Sequence, residues 1–260
     1  MNLCAPIKQL LKISILIYTI LLCAVWIFYP EFTACSKESI WCAICYWATQ
    51  SAGRIGTFYV VIAACILFAA GQPTARGKAL IFIRSLLTLI VVLSSFAYVN
   101  EHVIKPSIRA SRPSHSYIVK QTRSNARLDS IYSLAENNKR VFFRGLISAD
   151  TTAFGSIDPR ILDHWIEETG YSFPSGHSFN AFLLAGIIAF AIYQIAPKNR
   201  RWLCTIPLLW ASLVALSRVA VGAHTAWDVS VGSAMGLILS YSLMSFRFTR
   251  DLIIPKKSVT

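Results

Sequence analysis

The sequence predicts an all-α, polytopic membrane protein of about six transmembrane helices, with a small helical external cap between the third and fourth spans. Three observations predict it. Hydrophobic residues make up 55% of the 260 and charged residues only 14%, with a mean hydropathy of +0.54, well above that of a soluble globular domain. The apolar residues gather into separate runs, several of which reach the ~20 residues that a bilayer requires. The formal net charge of +13 is concentrated in short segments at alternate ends of those runs.

The first run, Leu10–Phe28, follows Lys8 and holds Lys12 near its start, a beginning shared with signal peptides. Phe32-Thr33-Ala34-Cys35 also has the look of a loose lipoprotein cleavage site. Pro30 and Glu31 interrupt the approach to it, and Phe32 stands where leucine is usual, so the run is read as a retained span. The second run, Thr57–Gly71, is short and is expected to extend back past Arg54, whose long stem can snorkel to the interface. Ala79–Tyr98 supplies the third span. Phe179–Ile195, Trp202–Ser217 and Val229–Phe246 supply the remaining ones. Residues 1–260 are read as one domain, with 100–178 inserted as the cap. Within it, Leu128–Leu134 and Pro159–Glu168 carry apolar residues at helical spacing. Asp158-Pro159 reads as an N-cap followed by proline at the first helical position.

With the N-terminus placed inside, Lys8, Lys12, Arg76, Lys78, Lys198, Arg200, Arg201, Arg247, Arg250, Lys256 and Lys257 all fall on the cytoplasmic side, offset only by Asp251. The basic balance is therefore topology and anionic-lipid contact. Nucleic acid is not expected as a partner, because no binding motif accompanies the charge. Among the cysteines, Cys23, Cys65 and Cys204 fall in apolar runs and read as small hydrophobes. Cys4 has no evident partner. Cys42-Ala-Ile-Cys45 has redox or metal-ligand spacing but no second Cys/His pair nearby, so packing at the outer end of the second span is favoured. Cys35 and Cys42 share an external loop, which leaves a disulfide open.

Three short strings carry the chemistry. Lys105-x6-Arg112-Pro113 follows the third span, Pro174-Ser175-Gly176-His177 precedes the fourth, and Ser217-Arg218-x5-His224-x3-Asp228 follows the fifth. Span parity puts all of them on the external face. Charge buried at the ends of apolar segments is costly unless an anion neutralises it, and a phosphoryl group suits three cations beside a Ser-Gly turn. Arginine presents a planar fork to two phosphate oxygens, while lysine supplies a compact charge. Alone, Lys105 and Arg112 would be ordinary interfacial anchors, and Arg109, between them, is read as one. The Ser175 hydroxyl and the free N–H groups of a helix start can hold a phosphoryl oxygen, Gly176 permits close approach, and His177 can protonate a leaving oxygen. His224 and Asp228 are expected to share a helix face. The carboxylate would then fix the tautomer and leave the other ring nitrogen free to attack phosphorus. His102, His115 and His164 match nothing and are read as loop residues.

These strings resemble the type 2 phosphatidic acid phosphatase superfamily, and every fixed position of its three patterns is met, over roughly Ala79 to Leu239. His164-Trp165-x2-Glu168-Thr169-Gly170, running into Phe173-Pro174-Ser175-Gly176-His177, is similar to the bacterial phosphatidylglycerophosphatase B and undecaprenyl-diphosphate phosphatase branch. The resemblance implies that His224 is the nucleophile, Asp228 its orienting carboxylate and His177 the general acid. It implies that Lys105, Arg112, Ser175, Gly176, Ser217 and Arg218 cradle the phosphoryl oxygens, with no cofactor and no metal. The implied partners are a lipid phosphate substrate and membrane lipids, without an obligatory protein partner. The implied location is a bacterial inner membrane with the site facing outward. A lipid A phosphatase or phosphotransferase would use the same residues. A catalytically inactive lipid-binding or transport protein is the non-enzyme alternative, against which the intact His177, His224 and Asp228 argue.

Overall fold

The computed structural model describes residues 4–29 and 31–253; the side chain of Cys4, together with Pro30, Lys256 and Lys257, lies outside what is described. The described chain is helical, and its one β pairing is an isolated bridge between Ser36 and Ile157. Four helical segments are long and apolar enough to cross a bilayer: Ile7–Phe28, Ala75–Ile108, Gly176–Ile195 and Lys198–Ala220. Two bent pairs, Ile40–Ser51 with Arg54–Ala70 and Ala226–Ser245 with Arg247–Ile253, bring the number up to 6 if each counts as one span. The all-α, multi-pass architecture is thus the expected one.

Helix α1 (Cys4–Phe28) exposes large apolar side chains such as Leu16, Ile20 and Ile27, which only lipid would solvate favourably. The second span departs from expectation. Helix α3 (Arg54–Ala70) begins at Arg54 rather than extending past it, and a separate helix, α2 (Ile40–Ser51), meets it at a 63° bend. Gly53 at the junction takes an extended conformation, which ends the helical ladder there. Helix α4 (Ala75–Val99) continues through a π-helical turn, Asn100–Ile104, into the single-turn α5 (Lys105–Ile108). His102 lies on that π turn, with Nδ1 3.0 Å from the Tyr98 carbonyl, so it is not a loop residue.

The cap follows as α6 (Pro113–Gln121), α7 (Leu128–Tyr132), α8 (Glu136–Ala149), α9 (Thr151–Phe154) and α10 (Pro159–Glu167). Asp158 caps α10 as expected, accepting from the Arg160 N–H at 2.9 Å with Pro159 in the first turn. Ile118, Ile131, Phe143, Phe154, Ile161 and Trp165 form a core separate from that of the spans. A disulfide between Cys35 and Cys42 ties the loop before α2 to this core, and Cys45 is buried within it.

Helices α11 (Gly176–Ile195), α12 (Thr205–Ala220) and α13 (Ala226–Ser245) complete the bundle, with a 3₁₀ segment, Lys198–Cys204, before α12 and the short α14 (Arg247–Ile253) after α13. Helix α11 is the central one, packed against α13, α12, α1 and α3, and is apolar on nearly every side because no side of it meets water. At its start α13 approaches so closely that a Cβ on Gly232 would strike the Ser175 carbonyl. That approach fixes the beginning of α13 against the beginning of α11. At the opposite end, Tyr193 on α11 donates to Gln9 Oε1 on α1, at 2.5 Å.

Candidate active site

The end of the α4–α5 segment, the N-cap of α6, the start of α11 and the turn between α12 and α13 meet at one end of the bundle, under the cap. They enclose a cavity of about 560 Å³. Of the residues singled out in the sequence, Lys105, Arg112, Gly176, His177 and His224 line it. Arg218, Asp228, Ser175 and Ser217 stand behind that lining, each at most 2% exposed.

Arg112 is held in place from several sides. Its Nε donates to the Gly170 carbonyl at 2.8 Å and its NH1 to the Ala223 carbonyl at 3.0 Å. Its backbone N–H donates to the Tyr132 hydroxyl at 3.0 Å. That hydroxyl lies 2.8 Å from His115 Nδ1, and His115 Nε2 lies 3.0 Å from the Trp165 carbonyl. A carbonyl only accepts, so Nε2 carries the proton and Nδ1 accepts from Tyr132. His115, expected in a loop, is thus a buried residue of α6 that links Arg112 to the cap.

Arg218 is fully buried. It donates from NH1 to Thr49 Oγ1 at 2.9 Å and to His164 Nε2 at 2.8 Å, and from NH2 to both Glu168 oxygens at 2.6 Å. Glu168 also lies 2.5 Å from Arg112 NH1. One carboxylate therefore bridges both arginines at the centre of the site. Lys105 is paired in the same way, with Glu101 one turn earlier. The three catalytic strings include none of Glu168, His164 and Glu101; the branch string held Glu168 and His164 without a role, and His164, expected in a loop, lies on α10. The available signal was spacing: His164 and Glu168, like Glu101 and Lys105, are i,i+4 pairs. Removing Glu168 would leave two buried guanidinium groups without their anion, a loss of about 3–5 kcal/mol when no other anion is bound.

His224 and Asp228 do make contact, with Nδ1 and Oδ2 3.4 Å apart, but not along a helix face. His224 lies in the turn before Thr225, the N-cap of α13. Asp228 is the third helical residue, in a capping box that also accepts from the Thr225 N–H at 2.8 Å. Gly222, at φ 73°, gives the turn its left-handed step, and a Cβ there would collide with Phe32. On the other side of the ring, Arg112 NH1 lies 3.4 Å from Nε2. A guanidinium only donates, so Nε2 bears a lone pair that faces the cavity.

Ser175 is the N-cap of α11. Its Oγ accepts from the Ser178 N–H and hydroxyl, at 3.4 and 2.9 Å, which leaves its own proton for another acceptor. Ser217 differs from expectation. It is buried outside the cavity lining, and its hydroxyl donates to the Val214 carbonyl of its own helix at 2.7 Å.

Burial lowers the His224 imidazole to about 3, with Arg112 and Arg218 adding to the effect against Asp228. Burial likewise lowers His115 to about 3 and His164 to about 4. Burial alone would raise the Glu168 carboxyl, but Arg218 and Arg112 hold it well below the usual range. The three histidines are therefore neutral when folded, whereas an unfolded chain protonates them below about 6.5. Between that pH and about 4 the unfolded state binds more protons, so stability falls as pH falls. The melting temperature in detergent is expected to drop steadily from pH 7 to pH 5. A flat profile would contradict the neutral assignments.

Among the described residues, no group of three or more His, Cys, Asp or Glu side chains is placed to hold a metal ion.

Comparison with known proteins gives concordant matches. The family model described as the PAP2 superfamily matches residues 83–252. Phosphatidylglycerophosphatase B of Bacillus subtilis (strain 168) is 34% identical over 101 residues, covering 34% of this chain and 50% of that protein. Phosphatidylglycerophosphatase B of Escherichia coli (strain K12) is 27% identical over 166 residues, covering 63% of this chain and 60% of that protein. The chain thus spans about half to three-fifths of the length of these curated relatives. The crystal structure of a transmembrane PAP2 type phosphatidylglycerolphosphate phosphatase from Bacillus subtilis aligns at 19% identity and a TM-score of 0.38, covering 90% of this chain and 93% of that one.

Proposed function

Because this chain belongs to the PAP2 superfamily, we propose that it hydrolyses phosphate mono- or diphosphate esters of membrane lipids through a phosphohistidine on His224. One observation carries the reading. The Glu168 carboxylate bridges Arg112 and Arg218 beside His224 Nε2, which is unprotonated and accepts from Arg112 NH1, so the site is built around an anion of two accepting oxygens. A phosphoryl group entering the cavity takes that place, with its phosphorus in front of Nε2.

The steps then follow from the side chains. The Nε2 lone pair of His224 attacks phosphorus, and the bond from phosphorus to the leaving oxygen breaks as His177 protonates that oxygen. Asp228, whose Oδ2 lies 3.4 Å from Nδ1 without a hydrogen bond to it, stabilises the charge that the imidazole acquires and accepts from Nδ1–H as that charge forms. Lys105, Arg112, Arg218, Ser175 and the free backbone N–H groups at Gly176 and His177 hold the other phosphoryl oxygens. Ser217 anchors the last turn of α12, which carries Arg218. Water, deprotonated by the now neutral His177, breaks the phosphorus–nitrogen bond and releases phosphate. Positive side chains supply the stabilisation that metal ions provide in many phosphoryl transfers, so no metal is needed.

Phosphatidylglycerophosphate, undecaprenyl diphosphate and phosphatidate are the candidate substrates. The test is a panel of these lipids with purified protein in detergent and excess EDTA. Phosphate release from at least one is expected, with the rate unchanged by EDTA. Inactivity on all of them, or a loss restored only by added magnesium or zinc, would sink the proposal.

We further propose that the site faces the outside of a bacterial cytoplasmic membrane. Positive charge at the other ends of the spans, at Arg76, Lys78, Lys198, Arg200 and Arg201, supports this sidedness. Single cysteines replacing Ser130 in the cap and Pro197 after α11 test it, with the other free cysteines removed and the Cys35–Cys42 disulfide kept. An impermeant maleimide is expected to label position 130 in intact cells and position 197 only after lysis. The reverse pattern would invert the topology.

A further inference from the structure

We infer that a cleft of about 560 Å³ at the end of the bundle opposite the active site, lined by Arg84, Arg247, Phe248, Asp251 and Leu252, binds the headgroup phosphate of an anionic phospholipid from the leaflet on that side. The inference is independent of the proposed reaction and requires only that the spans lie in a bilayer.

Arg84 is unusual because it stands on a span rather than beside one. Helix α4 begins at Ala75, and Arg84 follows nine residues later, about 14 Å along the axis at 1.5 Å per residue. It is exposed, and so are its apolar neighbours Ile83 and Leu87. A guanidinium at that depth is costly unless it reaches the interface or meets an anion. Among the described residues no carboxylate pairs with it. The positive-inside pattern accounts for Arg76 and Lys78, in the first turn of the helix, but not for a cation two turns further in.

What meets Arg84 is α14. Helix α13 starts beside the active site and ends at Ser245, and α14 leaves it at a 95° bend, running across the far end of the bundle against α4. Ile253 is buried in the core of the spans, whereas Phe246 and Phe248 are strongly exposed. A short helix with an apolar side against protein and aromatic rings turned outward suits the boundary between headgroups and acyl chains. The cleft between α4 and α14 therefore lies at the depth of a lipid phosphate.

That cleft holds more positive charge than the protein neutralises. Arg84 comes from one helix and Arg247 from the other, with Arg250 adjoining. Asp251 lies 3.7 Å from Arg247 Nε and 3.8 Å from Arg250 Nε, beyond hydrogen-bond distance of both. A phosphate diester offers two accepting oxygens, which match one planar fork from each helix. Phe248 and Leu252 give its acyl chains an apolar wall, which a free phosphate ion cannot use. The amine of a zwitterionic lipid would bring another cation into the cleft, so the site selects an anionic headgroup.

The test is native mass spectrometry of the purified protein with dioleoylphosphatidylglycerol or dioleoylphosphatidylethanolamine at equal concentrations. Wild type is expected to bind one phosphatidylglycerol in preference to phosphatidylethanolamine, and excess inorganic phosphate is expected not to displace it. Arg84→Gln and Arg247→Gln are each expected to weaken that binding about fivefold, the contribution of one basic side chain at an anionic surface, and the double variant about 25-fold. Arg76→Gln removes an exposed cation at the same end but outside the cleft, and Lys105→Gln one in the active-site cavity. Neither is expected to change the binding. Arg247 is 77% exposed on α14, so its variant tests the site without disturbing a span. Equal binding of the two lipids, or displacement by phosphate, would overturn the headgroup assignment. An equal loss in Arg76→Gln would reduce the effect to diffuse attraction and overturn the site. Loss in Lys105→Gln, with Arg84→Gln and Arg247→Gln unaffected, would place the lipid in the active site and overturn it as well.

Discussion

His224→Ala is expected to abolish turnover, by about four orders of magnitude or more, as loss of a covalent nucleophile does in enzymes of comparable design. Lipid phosphate binding is expected to persist. Arg112 and Arg218 are placed by the Gly170 and Ala223 carbonyls, Thr49 and His164, and the variant removes only the long 3.4 Å contact from Arg112 NH1 to His224. The measurement is phosphate release alongside competition with a fluorescent lipid phosphate. A chemical signature accompanies it: wild type quenched in alkali during turnover of labelled substrate carries the label, and the variant does not. Activity within tenfold of wild type would show that another group attacks phosphorus. A loss of binding equal to the loss of turnover would instead make His224 a ligand rather than the nucleophile.

The spans were legible in the sequence because lipid imposes a coarse requirement, a long apolar run with few charges, which the segments holding α1, α4, α11 and α12 obey and which α13 meets together with α14. The break at Ala52-Gly53 was not. Helix α2 carries Trp41, Trp47 and buried Thr49 rather than an unbroken aliphatic run, so it stood outside the hydropathy pattern. Lys105, Arg112, Gly176, His177 and His224, from all three patterns, came to line one cavity. Their surroundings did not follow from the motifs, because Glu168, His164 and His115 gain their positions only when the cap folds onto the turn between α12 and α13. Trp165 Nε1 donating to the Val221 carbonyl at 2.6 Å is the contact that sets that docking. Ser217 does not line the cavity, for a local reason. A helical serine can donate to its own preceding turn, and a spacing pattern does not distinguish that from a hydroxyl aimed at a ligand.

His177→Asn is expected to divide substrates by their leaving groups. The leaving oxygen of phosphatidylglycerophosphate or phosphatidate is an alkoxide of high basicity, and it departs only with a proton. A positioned general acid is typically worth about 10²–10⁴-fold, and that loss is expected for these monoesters. Undecaprenyl diphosphate expels a phosphate, which leaves readily without protonation, so its loss is expected to be smaller by at least tenfold. The position of His177 suits the division, because it lines the same cavity as His224 and stands on the first turn of α11. Asparagine keeps a polar group at the start of α11 but cannot transfer a proton, so the variant separates acid catalysis from helix capping. The check is kcat/KM for monoester and diphosphate measured on the same preparations across pH 5–9. Equal losses would make His177 a binding residue and would move the proton to another donor.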